Sequence, residues 1–168
     1  MKFVLVDRIS MWEPGQRLIA HKSVSLAEEY LQDHFPRFPV LPGVLMLEAL
    51  TQSAAWLVRA SLNFAPSVVL LREARNVTYK SFVVPGRTLD MEVSCRQLDA
   101  GESVFQASGT VDGRPTLKGQ LVLRHLNLAD QDAALAETDQ RLRERHRRQF
   151  ELLGGPGARR EAACAAPA

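Results

Sequence analysis

Glu48 is the only charged residue between Val44 and Val58, a stretch otherwise dominated by Leu, Ala, Met and Val. A buried, unpaired carboxylate costs several kcal/mol, so this one must be paired, neutralised by an upward pKa shift, or set at a cavity. Gln52 follows four residues later, on the same face if the stretch is helical, where its amide can hold the acid or share a water with it. Pairing of Glu48 with an arginine at a helix or subunit contact would account for the same pattern. The second group is His34, at the head of His34-Phe35-Pro36-Arg37-Phe38-Pro39-Val40-Leu41-Pro42-Gly43. A lone loop histidine is usually a surface or structural residue. Here prolines at 36, 39 and 42 each remove a backbone donor and push the preceding residue out of the helical region. The loop is therefore stiff and fixes the ring, as a general base requires. The third group is Gly43, whose N–H falls where a helix N-terminus presents free donors and partial positive charge, and whose missing side chain admits close approach by a thioester carbonyl. A base, an acid and an oxyanion donor suit proton transfer next to a carbonyl.

These groups need a frame. Phe3 to Val6 reads as a short strand, Glu13-Pro14-Gly15 as a turn, and Arg17 to Val24 as a strand returning beside the first. Ser25 and Glu28 have capping-box spacing, which predicts a short helix over Leu26 to Gln32. Asp33 to Gly43 is the extended proline-rich loop. Val44 to Asn63 contains neither Pro nor Gly and is long enough for about five helical turns. Its apolar residues fall all round the wheel, which predicts a helix covered on most sides by a sheet. Strand-like runs follow at Val68 to Glu73, Val77 to Val84, Thr88 to Gln97, Val104 to Val111 and Thr116 to Arg124. Leu89, Met91, Val93 and Cys95 alternate, and Asp112-Gly113 suits a hairpin turn. The expected fold is α+β: a curved antiparallel sheet of two plus about five strands around one central helix, over residues 1–129. Residues 130–168 differ. Asp130 to Arg148 is rich in Ala, Gln, Glu and Arg and reads as a solvated helix, its arginines interspersed with acids, and Gly154 to Ala168 reads as disordered.

Composition removes several classes of function. The formal charge of +2 is spread over both signs, with no Lys/Arg block in the first 129 residues, so nucleic acid is not an expected partner. Cys95 and Cys164 suggest no disulfide framework, which fits a reducing cytoplasm. Phe3 to Val6 is too short for a signal-peptide core or a membrane span, so a soluble, unexported protein is expected. The 4 histidines are scattered, and neither Cys/His ligand spacing nor a Gly-rich phosphate loop is present, so no metal and no cofactor are expected.

His34-Phe35-Pro36 through Pro39, Pro42-Gly43-Val44-Leu45, and Glu48-Ala49 to Gln52 closely resemble the signature of the FabZ-type 3-hydroxyacyl-acyl carrier protein dehydratases of bacterial fatty-acid synthesis. Leu5-Val6-Asp7-Arg8, Tyr79-Lys80 and Val83-Val84-Pro85-Gly86 resemble further family stretches in the same order, so the similarity runs from Phe3 to Arg124. The resemblance implies a hot-dog fold and an active site shared across a homodimer, which can assemble further as a trimer of dimers. It implies that His34 takes the C2 proton, that the Gly43 N–H steadies the enolate oxygen, and that Glu48 of the other subunit protonates the departing 3-hydroxyl, held by Gln52. Glu48, where related dehydratase-isomerases carry Asp, implies plain dehydration to the trans-2-enoyl product. Phe35, Tyr79 and Lys80 are implied in binding or support, Lys80 with Arg75 and Arg87 as candidate contacts for the acidic carrier protein. The resemblance also implies a cis peptide after His34, packed by Phe35 and Phe38. Asp33, Arg37 and Arg87 depart from the family pattern, as do a start without the usual N-terminal helical segment and the added residues at the C-terminus. A hot-dog thioesterase, a coenzyme A-thioester hydratase and a non-catalytic acyl-binding protein are the alternatives.

Overall fold

The computed structural model describes residues 3–35 and 37–159. Six strands form one antiparallel sheet: β1 (Arg8–Glu13), β2 (Arg17–Ser23), β3 (Val68–Tyr79), β4 (Thr88–Leu98), β5 (Glu102–Val111) and β6 (Arg114–Leu126), in the order β1-β2-β4-β5-β6-β3. The helices are α1 (Tyr30–Asp33), α2 (Gly43–Ser61) and α3 (Ala136–Leu152). The β5–β6 hairpin turns through Asp112 and Gly113, both at positive φ, which matches the twist of the flanking strands.

Helix α2 lies against the sheet, and Ala49, Leu50, Ser53, Ala54, Leu57 and Val58 are essentially inaccessible. Small side chains on this face allow a close approach: Ser53 Oγ turns back to the Ala49 carbonyl at 2.8 Å and meets Met91 Sδ of β4 at 3.6 Å. Gly109 of β5 leaves room for side chains of the strands on either side, since a Cβ there would collide with Leu117 of β6 and Leu89 of β4. Each fully buried Leu or Val in this layer contributes about 1.5–3 kcal/mol.

The fold is the expected α+β arrangement, with local corrections. Phe3 to Val6 is not a strand; its place as the first strand is taken by β1. The Gln52 amide bonds the Leu5 N–H and the Phe3 carbonyl at 3.0 and 3.1 Å, so a helix side chain stands in for a strand partner. The helix expected over Leu26 to Gln32 shrinks to α1. Ser25 Oγ accepts from the Ala27 N–H, and the Glu28 carboxylate is drawn 2.7 Å from the buried Lys22 Nζ, so the capping box does not form. The runs at 68–73 and 77–84 are joined as β3, which passes through Asn76 at φ 53° with a register irregularity and leaves the sheet after Tyr79. The sheet therefore has six strands among the described residues, not seven.

Helix α3 is docked as well as solvated. Phe150 is buried against Trp12, Trp56 and Phe64, with ring centroids 5.7, 5.9 and 5.6 Å apart. Asp139 is buried and accepts from Ser67 Oγ and from the Leu128 and Ala129 N–H groups at 3.0 and 2.9 Å. Arg143 caps the Ala65 carbonyl, and Arg147 the Asn63 carbonyl, whereas Arg141 pairs with Glu137 in solvent as expected. Gly154 to Arg159, expected to begin the disordered tail, makes ordered turns in which the Gly155 carbonyl accepts from Trp12 Nε1 at 2.7 Å. The rest of that tail lies outside the described residues.

Candidate active site

Glu48 is half-buried on α2, and its Oε1 accepts from Gln52 Nε2 at 2.9 Å. Because the same amide also bonds Phe3 and Leu5, Gln52 is locked at both ends and fixes the acid's orientation. No basic side chain lies within ion-pair distance of Glu48 among the described residues, so the expected alternative of an arginine partner is not met among them. Glu48 instead borders a cavity of about 380 Å³ whose apolar wall includes Phe3, Val6, Trp56 and Val69. This is the third of the placements open to an isolated carboxylate.

His34 follows directly on α1 with φ −105° and ψ 102°. The His34–Phe35 peptide is trans, contrary to the expected cis bond; Phe35 itself adopts φ 51°. The left-handed region costs a non-glycine residue about 1–3 kcal/mol. The turn is closed by the Phe38 N–H on the Phe35 carbonyl at 2.7 Å. Phe35 and Phe38 are 58% and 54% exposed, so they do not pack the loop as expected. Buried Val40 and Leu41 do so, with the Leu41 N–H bonded to the Val83 carbonyl at 2.8 Å. This bond ties the histidine loop to the Val83-Val84-Pro85-Gly86 stretch, whose turn places Gly86 at φ 81°.

Pro42 caps α2, its carbonyl accepting from the Leu45 and Met46 N–H groups at 2.9 and 3.0 Å. The Gly43 and Val44 N–H groups have no acceptor among the described residues. Tyr79 covers Gly43: a Cβ at Gly43 would sit 3.2 Å from Tyr79 Cε1. Burial pushes the Tyr79 phenol up from its ordinary value, so the hydroxyl is a neutral donor at neutral pH.

The structure thus joins Glu48 with Gln52, Gly43 with Tyr79, and His34 with Phe35, whose rings meet edge-on at 4.5 Å. His34 is not among the residues bordering the Glu48 cavity. Lys80 is exposed and without a carboxylate partner among the described residues, whereas Arg75 pairs with Glu73 and Arg87 with Asp112. Sequence reasoning missed Arg59, Arg145 and His146, which border the far part of the same cavity. The signal for Arg59 was available, since Glu48, Gln52, Ala55 and Arg59 recur at helical spacing. Among the described residues no cluster of three or more His, Cys, Asp or Glu is placed to hold a metal, and no helix is long and apolar enough to cross a membrane.

An antiparallel sheet laid on one long helix, with an acid on that helix opening to a cavity, is the architecture of a hot-dog protein. The solved structures agree on the fold. The dehydratase heterocomplex ApeI:P from Xenorhabdus doucetiae is similar with a TM-score of 0.64 and 18% identity over 79% of this chain and 90% of that one. A hypothetical thioesterase with coenzyme A from Streptococcus pneumoniae TIGR4 is similar at 0.53 and 14% identity, over 71% and 85%. The family model described as a FabA-like domain matches residues 1–124, and the chain belongs to that family. Among its relatives, the 3-hydroxyacyl-[acyl-carrier-protein] dehydratase FabZ of Janthinobacterium sp. (strain Marseille) is 37% identical over 137 residues, covering 80% of this chain and 88% of that protein. The FabZ of Chloroflexus aggregans is 39% identical over 120 residues, covering 71% and 83%.

Proposed function

We infer that this protein is a 3-hydroxyacyl-acyl carrier protein dehydratase, a hydro-lyase that converts the (3R)-3-hydroxyacyl thioester to the trans-2-enoyl thioester in fatty-acid synthesis. The observation that carries the reading is Glu48, held by Gln52 at the wall of a cavity partly lined by apolar side chains, with no cation within ion-pair distance among the described residues. In the proposed reaction His34 removes a C2 proton while the Gly43 N–H donates to the thioester oxygen as negative charge develops. One such donor lowers the barrier by about 2.7–4 kcal/mol. Glu48 acts as the general acid and delivers a proton to the 3-hydroxyl, which departs as water; the C3–O bond breaks as the C2–C3 double bond forms. Tyr79 keeps the Gly43 approach in shape, and Phe35 shields the His34 ring. No cofactor enters the proposed steps.

The separation of His34 from the Glu48 cavity supports a site completed by the other subunit of a homodimer. The surface around the α2 N-terminus suits such a partner: Val44, Phe38, Phe82 and Tyr79 are exposed, and β3 is an unpaired sheet edge carrying Leu70. A trimer of such dimers would be the larger assembly. Carrier protein would dock near Lys80, the enzyme would work in the cytoplasm, and the catalytic unit at 1–129 would be completed at the Glu48 cavity by α3.

The test is complementation. His34→Ala and Glu48→Ala each lower turnover by about 100-fold or more, and mixing the two under subunit exchange restores part of it. No recovery despite demonstrated exchange contradicts the shared site. Undiminished turnover in either variant contradicts the assignment of roles.

A further inference from the structure

We propose that the end of the Glu48 cavity remote from the acid is an anion subsite, built by Arg59 with Arg145 and His146, that binds a small oxyanion tethered to the thioester substrate. The proposal rests on the dehydratase reading and names what else that site holds. Arg59 lies 11 residues beyond Glu48 on the same face of α2, or about 16 Å along the helix at 1.5 Å per residue. It is half-buried, stacked 5.2 Å from the Trp56 ring centroid, and its Nε is buried without an acceptor among the described residues. No carboxylate pairs with it among the described residues, and the cavity's one acid, Glu48, is three helical turns away.

Helix α3 adds to the imbalance, bringing Arg145 to the rim and His146 into the wall. The His146 ring stands edge-on to Trp56 at 6.0 Å, and its Nδ1 is buried with no partner among the described residues. Burial, with the Arg59 and Arg145 charges beside it, pushes the His146 imidazole down to about 4, so at neutral pH it is an uncharged ring with an unused polar atom. Burial likewise pushes the Arg59 guanidinium down to about 10, where it is still charged. A desolvated cation without a carboxylate partner, with Arg145 and His146 at the same cavity end, calls for an acceptor that the described residues do not supply. Gln149 gives that end a further polar side chain, and the wall between it and Glu48 includes Ala55 and Trp56, which suits a methylene chain. The acceptor is an oxyanion on the substrate, either a carboxylate ending the acyl chain or the phosphate of the pantetheine arm.

The experiment compares wild type with Arg59→Gln on three thioesters: a methyl-ended 3-hydroxyacyl carrier protein, the same carrier with an acyl chain ending in a carboxylate, and the methyl-ended acyl group on N-acetylcysteamine, which lacks phosphate. Arg59→Gln lowers kcat/KM about 10- to 100-fold for the thioester whose anion fills the subsite, the scale of a lost charge-assisted hydrogen bond. It leaves the others unchanged, and Arg59→Lys recovers part of the loss. Loss confined to the carboxylate-ended substrate assigns the acyl terminus, and loss on both carrier-linked thioesters but not on the N-acetylcysteamine one assigns the phosphate. Equal loss on all three, or none on any, overturns the proposal. Calorimetry with phosphopantetheine and with adipate reads the subsite even if no thioester is dehydrated. Wild type binds one of them and Arg59→Gln does not; binding of neither by wild type overturns the proposal independently of the assigned reaction.

Discussion

Phe150→Ala tests whether α3 is part of the packed protein or a solvated appendage. The ring is 4% exposed and meets Trp12, Trp56 and Phe64, so its removal loses transfer free energy together with three aromatic contacts. Phe→Ala in a core costs about 3–5 kcal/mol. The site lies near the surface, where α3 can partly collapse, which places the expectation toward about 3 kcal/mol. Such a loss is a large share of a total of about 5–15 kcal/mol but leaves a folded protein in the cold. Urea unfolding followed by tryptophan fluorescence is well placed to read it, because both tryptophans border the deleted ring. For a slope of about 2 kcal/mol per M, the midpoint falls by about 1.5 M. Because α3 also carries Arg145 and His146 to the Glu48 cavity, KM rises in the same variant. A loss below about 1 kcal/mol with unchanged kinetics would refute the docking of α3.

Gly43→Ala brings a Cβ to 3.2 Å from Tyr79, which must shift by a few tenths of an ångström; turnover falls about tenfold while the melting temperature holds or rises, since Ala favours helix over Gly. Unchanged turnover there would remove Gly43 from the site. Burial pushes the Asp139 carboxyl up, but the hydrogen bonds from Ser67, Ala129 and Leu128 and the nearby Arg143 outweigh it and hold the group below its ordinary value. Its stabilisation is therefore present above the unfolded carboxyl pKa, near about 3.9, and is lost as pH falls through the lower folded value. Tryptophan fluorescence should show α3 loosening only in strong acid, and Asp139→Asn should loosen it already at neutral pH; identical acid titrations of the two proteins would contradict this. Lys80→Glu raises KM for carrier-linked substrates with kcat unchanged and leaves N-acetylcysteamine thioesters unaffected, so an equal effect on both would exclude a docking role.

The central helix was legible because nothing between Val44 and Asn63 interrupts it, and the sheet because alternation and Asp112-Gly113 mark β4 to β6. Phe3 to Val6 misled because an apolar run says nothing of its backbone partner, which proved to be a side chain, Gln52. The docking of α3 was hidden by composition: its buried apolar contact rests on Phe150, while charged residues dominate the count. Leu142, His146, Phe150 and Leu153 do recur at helical spacing, a faint stripe within a polar segment. Of the candidate site, the Glu48–Gln52 pair followed from i, i+4 geometry, whereas the relation of His34 to Glu48 in the proposed dimer would depend on a second chain, which one sequence does not place.

The most direct test is product analysis of the wild-type protein on a series of 3-hydroxyacyl carrier proteins, read by intact-protein mass spectrometry with the His34→Ala and Glu48→Ala variants alongside. The account predicts loss of one water from the carrier-bound acyl chain, giving the trans-2-enoyl thioester, in wild type and in neither variant. Release of free carrier with a 3-hydroxy acid would instead mark a thioesterase, and an unchanged substrate at every chain length would contradict the dehydratase assignment.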